Sequence, residues 1–301
     1  MIVKTPQLGI FKGGAQHFYF LEYSLGKGDL SNIKSAVSTS LALANTKGVT
    51  CVLSFGEQAW QTFQPKWCPE TLTSFTRLNG QQGHTAPSTQ ADLFFWLQGA
   101  CIAEVFDGAM AIHNTMQSVA NLKLEQRGFD YHHSTDLIGF EDGTANPKTD
   151  VLKRQAAVIP ENRKGAGGSL VLSQKWVHDL TAWNNIPVHC QEAIVGRTKT
   201  DNIELEGEAM PDDSHINRTD LTVEGEAMKI YRRSAPYGTV TEHGLLFLAF
   251  ACDLKRFSSQ LESMYGLTED KKIDQLLNFS KAVSGSYWFA PAVEDLQEVL
   301  Q

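Results

Sequence analysis

The chain of 301 residues is short of three things. It has no apolar run long enough to cross a bilayer, no Cys-x-x-Cys pair, and no surplus of positive charge: 26 Lys and Arg stand against 34 Asp and Glu, a formal net charge of −8. Each absence excludes something. Without a run of about 18–20 apolar residues there is no membrane-spanning helix to expect. The start, Met1-Ile2-Val3-Lys4-Thr5-Pro6-Gln7, carries neither a basic segment followed by an apolar one nor a twin-arginine pair, so the expectation is a cytoplasmic chain. Its five cysteines (Cys51, Cys68, Cys101, Cys190, Cys252) are odd in number and scattered, which reads as free buried thiols and not as a zinc or redox site. Asn217-Arg218-Thr219 is then an accidental glycosylation sequon. A net negative chain has no general attraction for phosphate backbones or anionic lipid, so neither nucleic acid nor membrane is expected as a partner.

What is present is the composition of a folded protein, 42% hydrophobic and 20% charged, enough for one large domain or two medium ones. Aromatic and branched runs at 17–23, 50–55, 92–98 and 118–124 predict strands, with helical spacing at 30–45 and 100–116. That order is an α+β unit with an antiparallel sheet. A second series predicts strands at 168–174, 228–232 and 245–251, and helices at 178–183, 189–195, 256–265 and 271–278. The two series look alike in outline, although no residue-level repeat links them. Polar and Gly-rich stretches at 78–88, 126–136, 160–168 and 198–220 read as loops. The last is long for a compact domain, and such segments are usually functional or disordered.

Three constellations stand out. The stretch DLIGFEDGTANP, 136–147, sets two carboxylates between glycines and ends on Asn146-Pro147. It reads either as a surface turn, or as a turn whose Leu137-Ile138 lead-in anchors it in a core and brings Asp142 to a pocket wall. It lacks the lysine of a phosphate loop and the third glycine of a dinucleotide loop. His215 follows Asp212-Asp213-Ser214; a lone loop histidine is usually solvated, yet it is also the side chain suited to hold a haem iron if a carboxylate takes its other nitrogen. Ile230-Tyr231-Arg232-Arg233-Ser234-Ala235-Pro236-Tyr237-Gly238 carries two arginines off a strand end. His132-His133 beside Asp130 and Asp136 matches no common metal-ligand spacing. Phe94-Phe95-Trp96 reads as sheet core.

These residues resemble the dye-decolourising haem peroxidases, and more closely the subfamily without a secretion signal. The resemblance rests on Gly139-Phe140-Glu141-Asp142-Gly143-Thr144-Ala145-Asn146-Pro147, on Asp213-Ser214-His215-x-x-Arg218, on Ile230-x-Arg232-x-Ser234-x-Pro236-Tyr237-Gly238, and on Pro87-x-Thr89-Gln90-x-Asp92-Leu93. Asp274-x-Leu276-Leu277 and Val283-x-Gly285-x-x-x-Phe289-x-Pro291 also agree, in order and approximate spacing over nearly the whole chain.

The resemblance implies an α+β fold of two ferredoxin-like halves with antiparallel sheets, barrel-like in the manner of the dimeric α+β barrels. The halves would be residues 1–135 and 136–301, with one haem b per chain in the second. It implies His215 as proximal ligand to the iron, Asp142 and Arg232 as a distal acid–base and charge-stabilising pair, and Ser234 where the family has a third distal polar residue, often asparagine. It also implies Arg197 at a haem propionate and Asp274 as the proximal carboxylate. Gly143 lets backbone approach the flat cofactor, Thr144 fixes where the loop leaves it, and Glu141 stands at the haem edge. The implied partners are hydrogen peroxide, aromatic reductants or dyes, and further copies of the chain as a homo-oligomer. Tyr237 and Tyr131 are candidates to carry electrons from bulky dyes, against a plain packing role. Two other functions stay open at this point: a haem carrier or iron-releasing protein with incidental peroxidase activity, and a metal-dependent hydrolase using Asp142, Glu141 and the histidines.

Overall fold

Runs of aromatic and branched residues suit a pleated surface that is covered on both sides. The computed structural model describes residues 4–45, 48–132 and 134–301. Its N-terminal part runs strand His17–Leu25, helix Leu30–Asn45, strands Thr50–Phe55 and Leu93–Gly99, helix Ile102–Met116 and strand Ala120–Phe129. Counted in chain order, these four strands lie 2-3-1-4 across the sheet. The C-terminal part repeats that order. Ser169–His178 is its first strand, the short pair Tyr231–Arg232 and Ala235–Gly238 take second place, His243–Ala251 is third and Ser286–Ala290 fourth. Every pairing is antiparallel, so a ferredoxin-like arrangement occurs twice.

The two parts meet edge to edge where Phe289 pairs with Phe55, which makes one sheet of ten strands. That sheet bends on itself. Phe94 stacks on Trp288 at 5.4 Å between ring centres, and Trp96 tilts over Phe250 at 5.7 Å, each pair joining the two parts within one core cluster. Residues of the alternate face, Tyr19, Leu21 and Phe95, share a second cluster with Val37 and Ile112 of the two long N-terminal helices. Phe94, Phe95 and Trp96 therefore supply two cores in turn, as a strand buried on both faces must.

The barrel-like sheet stays open. Among the described residues the outer strands Ala120–Phe129 and Ala235–Gly238 share no ladder, and Pro236 has no N–H to give to one. The helix expected over 271–278 is also reduced, to a single tight turn Gln275–Asn278. Lys271 has a positive φ of 53°, and the Asp274 side chain caps the turn by accepting from the Leu276 N–H at 2.9 Å. The helix expected to begin at residue 178 begins at Leu180, because the strand Ser169–His178 runs on through His178.

The carboxyl of Glu22 is buried between the two parts. Ser173 Oγ donates to Glu22 Oε1 at 3.0 Å and itself accepts from Trp288 Nε1 at 2.9 Å, so Glu22 ties the two parts together. With no ion-pair partner among the described residues, burial pushes Glu22 up from about 4.5 to about 8, the Ser173 bond pulling the other way. The folded protein thus holds a proton that the unfolded chain releases. The stability this proton contributes is complete below about pH 4.5 and is lost as pH rises through about 8, at up to about 1.4 kcal/mol per pH unit. Glu22→Gln should flatten that slope. Urea unfolding at about pH 5 and about pH 8 checks it, and equal losses in variant and wild type would mean that Glu22 is ionised in the fold.

Candidate active site

The segment 134–147 is a tight turn pinned to the sheet. Asp142 N–H donates to Ser134 O at 2.9 Å, Asp136 N–H to Phe140 O at 2.8 Å, and Thr135 bridges Glu141. Gly139 and Gly143 take φ of 89° and 80°, which side chains with a Cβ rarely adopt. At Gly139 a Cβ would also lie 2.5 Å from Lys199 Cε. Asn146, at the end of the turn, does more than stop it. Its Nδ2 donates to Arg232 O at 3.0 Å and its Oδ1 accepts from Arg232 N–H at 2.8 Å, the two bonds a neighbouring strand would make. The turn is thereby fastened to the strand Tyr231–Arg232, and Arg232 Nη1 stands 3.9 Å from Asp142 Oδ1. Arg233 points elsewhere, donating to the carbonyls of Ile10 and Lys12 and to Gln98 Oε1.

His215 opens the short helix His215–Thr219, capped by Ser214. Its Nδ1 lies 2.6 Å from Oδ2 of Asp274, whose side chain has no exposed surface. Arg218, one turn on, binds Asp270 at 2.6 Å and the Ser263 carbonyl at 3.0–3.1 Å, so the helix is clamped to the segment that delivers Asp274. The guanidinium holds the Asp270 carboxyl well below the usual carboxylate range, with help from Thr268.

Asp142, Arg232 and His215 line one cavity, together with Arg197, Glu141 and Thr144, while Asp274 and Gly143 stand outside its lining. Its walls are mostly apolar, from Ile216, Ile230, Phe247, Phe257, Leu261 and Leu277. Arg197 is tied to Glu204 at 2.8 Å and to Asn202 O at 2.6 Å. Asn202 also donates to Glu141 at 2.6 Å, so the 198–210 segment braces the turn. Ser234 is outside the lining and its hydroxyl accepts from the Leu248 N–H at 3.4 Å. Tyr237 is no surface residue: it is 2% exposed and its hydroxyl donates to Trp176 O at 3.0 Å. Tyr131 is partly exposed, packs on Phe129 and His132, and does not line the cavity. Among the described residues no three His, Cys, Asp or Glu side chains gather as for a metal ion, and His133 lies outside those residues.

The family model "Dyp-type peroxidase, N-terminal" matches residues 22–130, and "Dyp-type peroxidase, C-terminal" matches residues 133–295. The chain belongs to the Dyp-type peroxidase family. It is 32% identical over 287 residues to the dye-decolorizing peroxidase of Mycobacterium tuberculosis (strain ATCC 25618 / H37Rv), covering 92% of this chain and 85% of that one. Among solved structures it is similar to a putative Dyp-type peroxidase from Shewanella oneidensis, with a TM-score of 0.90, 32% identity and 98% of both chains covered. It is similar too to a variant of Rhodococcus jostii RHA1 DypB in complex with heme, at a TM-score of 0.89, 30% identity, and 97% and 98% of the two chains.

In this Dyp-type peroxidase the cavity also holds polar residues that a reading of the sequence passes over. His178, Trp176 and Gln174 alternate along one face of the strand Ser169–His178 and line the cavity. His178 Nε2 is 3.3 Å from Asp136 and its Nδ1 is 2.8 Å from Ser280 Oγ. The period-two spacing of 174, 176 and 178 is the signal that would have found them. Of the new assignments, Asn146 has the sharpest consequence. Asn146→Ala removes two hydrogen bonds at about 0.5–1.5 kcal/mol each, so a loss of about 2 kcal/mol is expected in denaturant unfolding. Asn146→Asp keeps one acceptor bond and should lose less. A variant as stable as wild type would show that the turn does not depend on this clamp.

Proposed function

We propose that the chain is a haem peroxidase that reduces hydrogen peroxide and oxidises aromatic reductants one electron at a time. One observation carries this reading: an imidazole held by a fully buried carboxylate and a carboxylate–guanidinium pair line the same apolar-walled cavity. The residues fit an iron porphyrin. His215 Nδ1 is taken by Asp274, and its Nε2 has no hydrogen-bond partner among the described residues. An imidazole that is to hold a metal needs that arrangement, one nitrogen free and the other donating to a carboxylate. His215 would hold the iron, and Arg197 would meet a propionate. Every cavity-lining residue lies at 136 or later, which supports a chain divided at 135/136 with the cofactor in the second half. Haem, when bound, supplies the iron that takes up the oxidising equivalents of peroxide.

The chain's own residues divide the remaining work. Asp142 Oδ1 accepts from the Gly143 N–H at 2.7 Å and faces Arg232, while Oδ2 has no partner among the described residues. Oδ2 is thus the atom left to take the proton from one peroxide oxygen and return it to the other, which departs as water. Arg232, cationic at every working pH, stabilises the negative charge that develops as the O–O bond parts. Simple haem carriage makes no use of such a pair. The net charge of −8 supports small-molecule partners over nucleic acid, and among the described residues no helix is long and apolar enough to cross a membrane.

Purified chain expressed with haem supplied should show a Soret band, and its absence would sink the reading. In rapid mixing with peroxide, Asp142→Ala should slow peroxide reduction by about 10²–10⁴ and Arg232→Ala by about 10²–10³. His215→Ala should lose haem or change its spectrum. Full rates in both cavity variants would overturn the roles of Asp142 and Arg232, and an unchanged spectrum that of His215.

A further inference from the structure

Behind the cavity wall, the turn that carries Asp142 is closed into a circuit by Trp183, Gln191 and Lys199, none of which lines the cavity. Trp183 has no exposed surface; its Nε1 donates to Ile138 O at 2.8 Å and its ring meets Phe140 edge-on at 6.2 Å. The Trp183 carbonyl accepts from Gln191 Nε2 at 2.9 Å, and Ile186 O takes the same nitrogen at 3.3 Å. Both amide protons of the buried Gln191 are thus spent, which turns Oε1 to Lys199, whose Nζ donates to it at 2.6 Å. The lysine stem then runs back to the turn. Its Cε and Nζ lie 2.5 and 2.9 Å from where a Cβ on Gly139 would stand, and Nζ is 5.5 Å from the centre of the Phe140 ring. The circuit leaves the turn at Ile138 and returns at Gly139 and Phe140, two residues before Asp142.

A lysine is a costly residue for this place. It is partly buried and makes no ion pair among the described residues, and burial pulls its ammonium below the ordinary lysine value although Glu192 pulls the other way. Glu192 Oε1 instead accepts from the Lys199 backbone N–H at 2.9 Å, which fixes the residue just past the helix Val188–Val195. An apolar side chain would fill the same space without the desolvation cost. What the ammonium adds is a charge over the Phe140 ring and a directed, charge-assisted bond to Gln191.

We propose that Lys199 is a positioning residue for the peroxide reaction: through Gly139 and Phe140 it sets the depth of the turn, and so the approach of Asp142 to Arg232. The proposal rests on the peroxidase reading. Gly139 has the backbone freedom to leave its φ of 89° once the space beside it empties. The turn then sinks toward that space, and Asp142 Oδ1, already 3.9 Å from Arg232 Nη1, withdraws from it. Asn202, three residues on, holds Glu141 and Thr144, so Lys199 and Asn202 grip the turn on both sides of the Asp142 backbone.

The test uses the haem-loaded protein with Lys199→Met, which keeps an unbranched stem and removes the ammonium, and Lys199→Arg, which keeps a cation and a donor. Should the methionine variant not fold, Lys199→Gln is read in the same way. In rapid mixing with peroxide, the rate constant should fall about tenfold in Lys199→Met and stay within about threefold of wild type in Lys199→Arg. The Soret band should not move, since neither His215 nor Asp274 belongs to the circuit. Lys199→Met/Asp142→Ala should be within about twofold of Asp142→Ala alone, because a residue that acts through Asp142 has nothing left to act on. Amide hydrogen exchange, read by mass spectrometry over 136–142, should quicken about fivefold in Lys199→Met and stay as in wild type elsewhere in the sheet. A wild-type peroxide rate in Lys199→Met, an arginine variant no faster than the methionine one, or a double variant a further tenfold slower than Asp142→Ala would overturn the proposal and leave the peroxidase standing. If wild type does not reduce peroxide, the peroxidase reading falls, and hydrogen exchange still decides whether Lys199 holds the turn.

Discussion

The 2.6 Å contact between His215 Nδ1 and Asp274 Oδ2 is made where water is absent on the carboxylate's side, and much else follows from that. A buried carboxylate is costly unless its lone pairs are used. Asp274 meets this need with the imidazole and with the Leu276 N–H, which is why the chain turns tightly after it instead of running on as a helix. The same contact orients the ring so that its second nitrogen is left to the cavity. The clamp of Arg218 on Asp270 and Ser263 then keeps the helix of His215 and the segment of Asp274 from separating.

The Asp142 side of the cavity rests on a different device. Asn146 imitates a strand neighbour for Arg232, so that a surface-type turn becomes part of the sheet margin, and the glycines at 139 and 143 make the required backbone available. Asp142 and Arg232 are ninety residues apart in sequence, and their 3.9 Å approach depends on two hydrogen bonds from Asn146 to the Arg232 backbone. The 198–210 segment adds a brace through Asn202, and His178 links Asp136 of the turn to Ser280 beyond Asp274. One buried hydrogen-bonded chain thus reaches from the carboxylate turn to the strand that follows the His215 partner.

The short-range statements in the sequence survive well where period and composition agree. Leu30–Asn45 and Thr50–Phe55 begin and end where spacing puts them, and the antiparallel α+β class holds. They fail where a side chain overrides the local pattern. Residues 271–278 have a helix's apolar spacing, but Asp274 spends its carboxylate on a cap and on His215. His178 reads as a helix start because Asp179 and Leu180 follow it, although alternation continues through it in the strand.

The sequence by itself determined the α+β class and the absence of any segment suited to cross a membrane as a helix, because residue type and spacing along the chain carry that information. His215, Asp142, Arg232 and Asp274 were singled out by their resemblance to a family's motifs. Only the tertiary structure decided that the two 2-3-1-4 sheets join at Phe55 and Phe289 yet stay open, that Ser234 turns to the Leu248 backbone, and that Tyr237 is buried. It also decided that Asn146 holds Arg232. Each of these depends on which distant backbone arrives beside a side chain, and the free energy of such contacts is set by burial and by the partners met there.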